Sequence, residues 1–237
     1  MEQPRFPGMN TGTPAPVVTT NQRLMQRVFS WMFAGLIMTA IIAGALSMNP
    51  NVPKMLASQP VVFWGFVIAE LIVVFGLSLF LNRLSVFAAT LGFFLYAALN
   101  GVTLTLILSY YNLGTIGAAF FITAGMFGVC ALIGYTTKRD LSKIGSIALM
   151  LVIGLILASL VNIFFIESSL FSWIVSIALV VLFCVITAFD VQKIKYMSEQ
   201  AYDEDTVSKL AIFGALMLYL DFIIIFKNLL NILGSDD

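Results

Sequence analysis

The sequence contains no histidine and few charged residues. Asp, Glu, Lys and Arg make up 10% of its 237 positions, whereas about 25% is usual for a globular protein. Without histidine, a Ser/His/Asp triad, an imidazole proton relay and a His-based metal site are excluded. Twelve basic and twelve acidic residues give a net charge of zero, so the chain has no excess of positive charge of the kind that binds nucleic acid. We therefore expect neither an enzyme of these classes nor a nucleic-acid partner.

Cysteine and proline are also scarce. Cys130 and Cys184 are the only cysteines; they are far apart in apolar stretches, where a thiol behaves as a small hydrophobe, and we expect no disulfide. No proline follows Pro60, so helices broken by proline are excluded beyond that point. The sequence carries no glycine-rich phosphate-binding motif, and we expect no cofactor.

Hydrophobic residues, by contrast, fill 60% of the chain. Many of them fall in stretches near the roughly 20 residues that a helix needs to cross about 30 Å of hydrocarbon. Seven such stretches lie at residues 24–47, 61–82, 85–109, 113–135, 145–166, 170–192 and 210–233. The pattern predicts an all-α integral membrane protein with seven transmembrane helices in residues 23–237. Residues 1–22, which contain four prolines, are predicted to form a disordered cytoplasmic tail.

The basic residues alternate between the two ends of these predicted spans. Ten of the twelve fall in the tail, the 2/3 junction, the 4/5 loop and the 6/7 loop, and only Lys54 and Lys227 lie elsewhere. Because positively charged loops stay in the cytoplasm, this bias predicts a cytoplasmic N-terminus and a C-terminus on the outside. The short outer connections leave no room for an extracellular binding domain.

Pairs of small residues recur at a spacing of four, which lets helix backbones approach closely in lipid. They are Ala40 and Gly44, Gly114 and Ala118, and Ala124 and Gly128. We expect these pairs to mark helix–helix contacts.

Five ionisable residues lie at membrane depth: Glu70, Arg83, Asp190, Asp221 and Lys227. A charged side chain in a membrane span costs about 2.5–3.5 kcal/mol on insertion, and such residues usually face the interior of the bundle with a partner. Lys227 is close enough to the outer end of its span to extend its ammonium to the bilayer surface. Glu70 and Asp221 have no boundary in reach, so we interpret them as functional residues.

The last predicted span carries a polar face within its apolar run. Asn228 follows Asp221 by seven residues, close to two helical turns, so both share one face and line the same path. Asp190 and Asp221 lie on consecutive antiparallel spans and could meet. Their contact requires span six to end a little beyond Asp190, or span seven to begin with a bent stretch.

Three separate motifs carry a family resemblance. The runs NGVTLTLILSYYNLGTIGAAFFITAGMFGVCALIGYTTKRDLSKIG (100–145), ITAFDVQKI (186–194) and LYLDFIIIFKNLL (218–230) resemble the bacterial branch of the transmembrane Bax inhibitor motif family. The resemblance implies a seven-helix bundle with the last helix at its centre. It also implies that Asp190 and Asp221 form a proton-sharing pair on the cytoplasmic side of a calcium-leak path. In the family a basic residue near the end of span two can switch onto the pair, and Arg83 is the candidate here, while Glu70 is a candidate for the span-two acid.

Elementary electrostatics gives this mechanism a reason. Two adjacent carboxyl groups cannot both ionise cheaply, so the pair holds one proton between them. When that proton leaves, the repulsion is relieved by helix separation, by Arg83, or by a cation such as Ca²⁺, which prefers oxygen ligands. The sequence therefore predicts a pH-gated calcium leak in a bacterial inner membrane, with Asp190 and Asp221 as transient Ca²⁺ ligands.

Other functions fit parts of the pattern. Paired aspartates on two spans also build intramembrane aspartyl proteases, but this chain has LYLD where those enzymes have GxGD. A retinal protein is disfavoured, because Asp221 and Lys227 are six residues apart and point to different sides of the helix. The main alternative is a regulator without ion transport: some family members restrain a membrane-bound ATP-dependent protease or act in stress responses, and the tail at 1–22 could bind such a partner.

Overall fold

Eight α-helices make up most of the structure, a computed structural model that describes residues 20–199 and 203–234. They are α1 (Thr20–Ser47), α2 (Asn51–Ser58), α3 (Pro60–Phe80), α4 (Val86–Leu108), α5 (Leu113–Thr136), α6 (Ser142–Val161), α7 (Ser169–Glu199) and α8 (Glu204–Leu233). A 3₁₀ turn at Leu81–Arg83 follows α3, and a π-helical turn at Asn162–Ile166 follows α6. Of the predicted tail, residues 1–19 lie outside the described residues, and residues 20–22 belong to α1.

Seven of these helices are long and apolar enough to cross a membrane. The exception is the eight-residue α2, which lies in the connection between the first two spans. The seven correspond one for one to the predicted spans, and the prediction of an all-α membrane protein is confirmed.

Helix α8 occupies the centre of the bundle, as the resemblance implied. It packs against α7, α1, α5 and α4, and it is the most deeply buried of the seven candidate spans. Its LMLYLDFIIIF segment is apolar on nearly every side, which is the composition of a helix enclosed by other helices. A central helix of this kind places its few polar side chains where water cannot solvate them.

The start of α8 is fixed by Asp203, which lies just outside the spans. Its carboxylate accepts hydrogen bonds from the backbone N–H of Thr206 (2.9 Å) and from the Thr206 hydroxyl (2.6 Å). This is an N-cap, which satisfies a donor that the first helical turn leaves free. The same hydrogen bonds lower the pKa of the exposed Asp203 carboxyl, because they stabilise its charged form.

The small-residue pairs singled out in the sequence do not mark helix contacts within this chain, so that prediction is wrong. A Cβ added at Gly44 or Gly128 would meet no other side chain or backbone within 4 Å, and one at Gly114 would meet only the side chain of Asn112. The close approaches occur instead at glycines outside these pairs. At Gly134 of α5, for example, a Cβ would overlap the carbonyl oxygen of Ala188 in α7.

A candidate ion site between the last two spans

Asp221 lies in the middle of α8 and is almost completely buried, with 3% of its surface exposed. One carboxylate oxygen, Oδ2, is buried and has no hydrogen-bond partner among the described residues. Most buried polar atoms in proteins are hydrogen-bonded, because an unpaired one loses its interaction with water and gains nothing. An orphaned carboxylate oxygen in the core of a membrane bundle therefore indicates a place for a proton or a cation.

Asp190 of α7 is also buried, and its carboxyl group interacts electrostatically with that of Asp221. Thr187, one turn before Asp190 on the same helix, lies against Asp221. Thr187 donates its own hydroxyl hydrogen to the carbonyl oxygen of Phe183 at 2.7 Å. The structure thus brings the two aspartates of the FD and YLD motifs to one region of the α7–α8 interface.

The register of α7 against α8 explains this placement. At one end of the antiparallel pair, the Asn231 amide donates to the Ser176 hydroxyl at 2.8 Å. At the other end, Gly214 packs on Ile194, whose Cδ1 would lie 3.1 Å from a Cβ at that glycine. Between these two contacts, Thr187 is level with Asp221, and Asp190 follows one turn later.

The two routes to this contact that the sequence suggested are both wrong. Helix α7 continues to Glu199, about two and a half turns beyond Asp190, and α8 begins as a regular helix at Glu204. Both helices extend past the predicted span ends at 192 and 210, so only residues 200–203 separate them. The long separation between the aspartates is therefore taken up by helix.

Two basic side chains lie on the elements around the pair. Lys193, one turn after Asp190, interacts electrostatically with Asp190, and its ammonium lies 6.0 Å from the ring centroid of Phe189. Arg83 is exposed at the end of the 3₁₀ turn, which contacts α8, and it belongs to neither of the two ion pairs found within residues 20–199 and 203–234. Lys193 is thus the basic residue whose charge acts on Asp190 in this structure, and the role of Arg83 as a switch stays a prediction.

Glu70 belongs to a different polar cluster on α3 and α4. Its Oε1 accepts a hydrogen bond from the Thr103 hydroxyl at 2.6 Å, and its Oε2 accepts one from the Asn100 amide at 3.2 Å. Each carboxylate oxygen thus has a donor, although Glu70 is buried. This pairing offsets part of the cost of placing a carboxylate in the membrane.

Tyr219 connects this cluster to α8 and α1. Its hydroxyl donates to the Asn100 side-chain oxygen at 3.3 Å and lies 2.6 Å from the Thr39 hydroxyl, which in turn donates to the carbonyl oxygen of Ala97 at 2.9 Å. We refer to Glu70, Asn100, Thr103, Tyr219 and Thr39 as the Glu70 network. It ties four spans together through buried hydrogen bonds.

Lys227 and Asn228 have interactions that the sequence did not indicate. Lys227 is half-buried and interacts electrostatically with Glu70, so it has an acidic partner within the bundle and does not merely extend to the bilayer surface. Asn228 donates its amide to the carbonyl oxygen of Ile224 at 2.8 Å, which is a bond within its own helix. Neither residue contacts Asp221 through a hydrogen bond or ion pair that the structure describes.

Six polar residues at these sites were missed by the sequence reasoning: Thr39, Asn100, Thr103, Thr187, Lys193 and Tyr219. Tyr219 stands within the LYLD motif, Lys193 follows FD by one turn, and Thr187 precedes it by one turn. Spacing by three or four residues places side chains on the same helical face. That rule, applied from Asp190, would have found both Thr187 and Lys193.

Comparisons with known proteins identify the family of this chain. A family model described as "Inhibitor of apoptosis-promoting Bax1" matches residues 21–237. The chain is 44% identical over 216 residues to inner membrane protein YbhL of Escherichia coli K12, covering 90% of this chain and 92% of that protein. It is 39% identical over 219 residues to an uncharacterized protein of Borreliella burgdorferi, with 92% and 94% covered, and 39% identical over 213 residues to one of Deinococcus radiodurans, with 90% of each covered. The chain therefore belongs to the Bax inhibitor family, as its motifs indicated.

Proposed function

We propose that this protein is a pH-sensitive calcium leak in which Asp190 and Asp221 form both the latch and a transient ion site. The observation that carries the proposal is the orphaned Oδ2 of Asp221, buried in the central helix within electrostatic range of Asp190. A proton held by the pair neutralises one charge and keeps α7 and α8 together. Its loss leaves two negative charges that a passing cation can compensate.

The number of oxygen ligands that the two aspartates offer favours transient binding of Ca²⁺ during conduction over tight binding. Ca²⁺ takes six to eight oxygen ligands, and two carboxylates can supply four at most. The described part of the chain contains no group of three or more His, Cys, Asp and Glu side chains that could hold a metal ion. A site of this kind binds Ca²⁺ weakly and releases it, which conduction requires.

Several charged and titratable groups surround the pair and would set its response to pH. Lys193 acts on Asp190 from the same helix, and Cys184 lies close enough to Asp221 to interact with its charge. Arg83 is the proposed switch, because the turn that carries it contacts α8 and its side chain is exposed and free to move. It would swing onto the pair after the proton leaves.

The rest of the path and the orientation complete the proposal. Glu70 and Asn228, on α3 and α8, would line the path beyond the aspartates. The basic residues of the tail and of alternate loops would place the N-terminus in the cytoplasm and the C-terminus outside. The E. coli relative is named an inner membrane protein, and we propose the same membrane for this chain.

The test is calcium entry into proteoliposomes that enclose a calcium-sensitive dye, measured over a series of pH values. Wild type should conduct at a rate that changes with pH. Asp190→Asn and Asp221→Asn should each lose that pH dependence, because neither variant can share a proton between two carboxyl groups. Arg83→Gln should shift the pH response and retain conduction.

The matched control is Glu167→Gln, which removes an exposed carboxylate between α6 and α7. It should behave as wild type. The proposal is wrong if both aspartate variants keep the wild-type pH response, or if wild type conducts no faster than protein-free liposomes.

A second candidate is favoured by the description of the family, "Inhibitor of apoptosis-promoting Bax1", which names inhibition of another protein. In this function the chain would bind and restrain a membrane-bound ATP-dependent protease or a stress-response partner. Deletion of residues 1–22 separates the two: calcium flux should persist without the tail, whereas binding of a partner through the tail should be lost.

A further inference from the structure

The two cysteines, far apart in the sequence, are neighbours in the bundle. Cys130 lies on α5 and Cys184 on α7, and their thiols are close enough to interact electrostatically. Both side chains are half-buried, and both are free thiols in this structure. The sequence indicated two isolated thiols, and the tertiary structure replaces that interpretation with a dithiol.

The backbone of the two helices explains this closeness. Helices α5 and α7 are separated by one span and therefore run in the same direction. Gly134 follows Cys130 by four residues, and Ala188 follows Cys184 by four. Since a Cβ at Gly134 would overlap the Ala188 carbonyl oxygen, the two backbones touch there. Cys130 and Cys184 lie at the same interface between α5 and α7, one turn earlier on each helix.

This geometry suits a covalent link. A disulfide requires Cα atoms about 4.4–6.8 Å apart and Cβ atoms directed toward each other. Because the backbones of the two parallel helices touch one turn later, at Gly134 and Ala188, we expect Cys130 and Cys184 to approach this geometry. The half-buried position also leaves the thiols within reach of a small oxidant.

We propose that Cys130 and Cys184 are an oxidative modification site that forms an intramolecular disulfide on exposure to a peroxide. One thiolate attacks the O–O bond, which gives a sulfenic acid and, after proton transfer, one water molecule. The second thiol attacks the sulfenic sulfur, forming the S–S bond and releasing a second water. The two thiols lose two electrons in total, and the peroxide gains them.

The disulfide would join α5 to α7 beside the aspartate pair, because Cys184 lies within electrostatic range of Asp221. A covalent link between these helices opposes any opening that moves α7 away from α5. Oxidation should therefore slow the pH-dependent leak, a consequence that rests on the proposed function. The formation of the disulfide does not rest on it.

The experiment treats the purified full-length protein in detergent micelles with hydrogen peroxide. Free thiols are then counted by a maleimide mass tag added after denaturation. In wild type, neither thiol should be labelled after peroxide, and the mass of the protein should fall by that of two hydrogens. The oxidised protein should migrate as a monomer on a non-reducing gel. Dithiothreitol should restore both free thiols. Wild type that keeps both thiols labelled, or forms only a dimer, would overturn the proposal.

Two sets of variants control for the geometry. Cys130→Ser and Cys184→Ser each retain one thiol and should form no disulfide within the monomer. The double variant Cys130→Ala, Leu132→Cys keeps two thiols but moves one to an exposed position of α5. The new thiol at position 132 should form no disulfide with Cys184. An intramolecular disulfide in this variant would show that the closeness of positions 130 and 184 is not what allows the disulfide to form.

Calcium flux is measured on the same samples after reconstitution. Peroxide should slow the flux of wild type and leave that of Cys130→Ser unchanged. A disulfide that forms without altering flux would contradict the coupling to the leak. Absence of flux in the untreated protein would contradict the proposed function, while the thiol count still decides whether the disulfide forms.

Discussion

Two buried carboxylate sites lie on different sides of α8, and they are satisfied to different degrees. Both oxygens of Glu70 accept hydrogen bonds, from Thr103 and Asn100, whereas Oδ2 of Asp221 has no partner among the described residues. A satisfied buried network makes a core rigid, and an incomplete one costs stability. The comparison leads us to expect a larger contribution to stability from Glu70 than from Asp221.

The separation of the two sites follows from helix geometry. Tyr219 and Asp221 are two positions apart, about 200° around the helix. Tyr219 therefore faces α1 and α4, where it joins Thr39 and Asn100, while Asp221 faces α7. One motif of three residues supplies both a structural contact and a candidate ion ligand.

The largest effect on stability is expected at the satisfied site. Glu70→Ala leaves the Asn100 amide and Lys227 without their acidic partner and opens a small cavity, which should lower the free energy of unfolding by about 2–4 kcal/mol. Thermal unfolding in detergent micelles measures the change. Glu70→Gln, which keeps an acceptor for the Thr103 hydroxyl, should lose less stability than Glu70→Ala. If Glu70→Ala melts at the same temperature as wild type, the Glu70 network does not stabilise the bundle.

A smaller effect is expected at Tyr219. Tyr219→Phe keeps the edge-to-face ring contacts with Phe93 and Tyr96 but removes the hydroxyl, so stability should fall by about 1 kcal/mol. The same unfolding assay applies. Tyr110→Phe, at an exposed tyrosine, is the control and should leave the melting temperature as it is. If Tyr219→Phe and Tyr110→Phe change the melting temperature equally, the Tyr219 hydroxyl does not stabilise the fold through the Glu70 network.

The unsatisfied site should behave in the opposite way. Asp221→Asn removes a buried carboxylate whose Oδ2 has no donor, so stability should change by less than about 0.5 kcal/mol or rise. Calcium flux in the same preparation should lose its pH dependence. A loss of stability as large as that of Glu70→Ala would show that Asp221 is also structural, and the comparison would fail.

A small effect on stability is also expected at the exposed cap of α8. Asp203→Ala removes the N-cap and should lower the melting temperature slightly at neutral pH, whereas Asp203→Asn keeps a capping oxygen and should restore most of it. The pKa of Asp203 is lowered in the folded protein. Its contribution is therefore fully present above the ordinary value of about 3.9 and is lost as the pH falls through the folded value. A melting temperature for Asp203→Ala equal to that of wild type at pH 7 would contradict the cap.

Much of the fold could be predicted, because hydrocarbon imposes a simple rule on the chain. A span must be helical, about 20 residues long and mostly apolar, and the seven stretches that satisfy this rule are the seven long helices of the structure. Helix ends were less predictable. Helices α7 and α8 extend past the apolar core into polar sequence, where apolar content no longer marks the boundary.

The ionisable residues could be found in the sequence, but their partners could not. Glu70, Asp190 and Asp221 stand out in apolar runs, whereas the hydrogen bonds from Asn100 and Thr103 depend on how α3 packs against α4. The small-residue spacing failed for the same reason. Such spacing identifies positions at which two helices could approach, but not which helices do approach there. The close backbone approach near the cysteines is at Gly134, which belongs to none of the pairs.

The sequence by itself determined that this chain is a helical membrane protein of the Bax inhibitor family and that two aspartates lie in its last two spans. Composition and motif suffice for those conclusions, since the cost of burying charge in lipid makes every such residue conspicuous. Only the tertiary structure decided that both Glu70 oxygens have hydrogen-bond donors, that Oδ2 of Asp221 has none among the described residues, and that Cys130 lies near Cys184. Those outcomes depend on register and backbone approach between helices, which a difference of one residue would change.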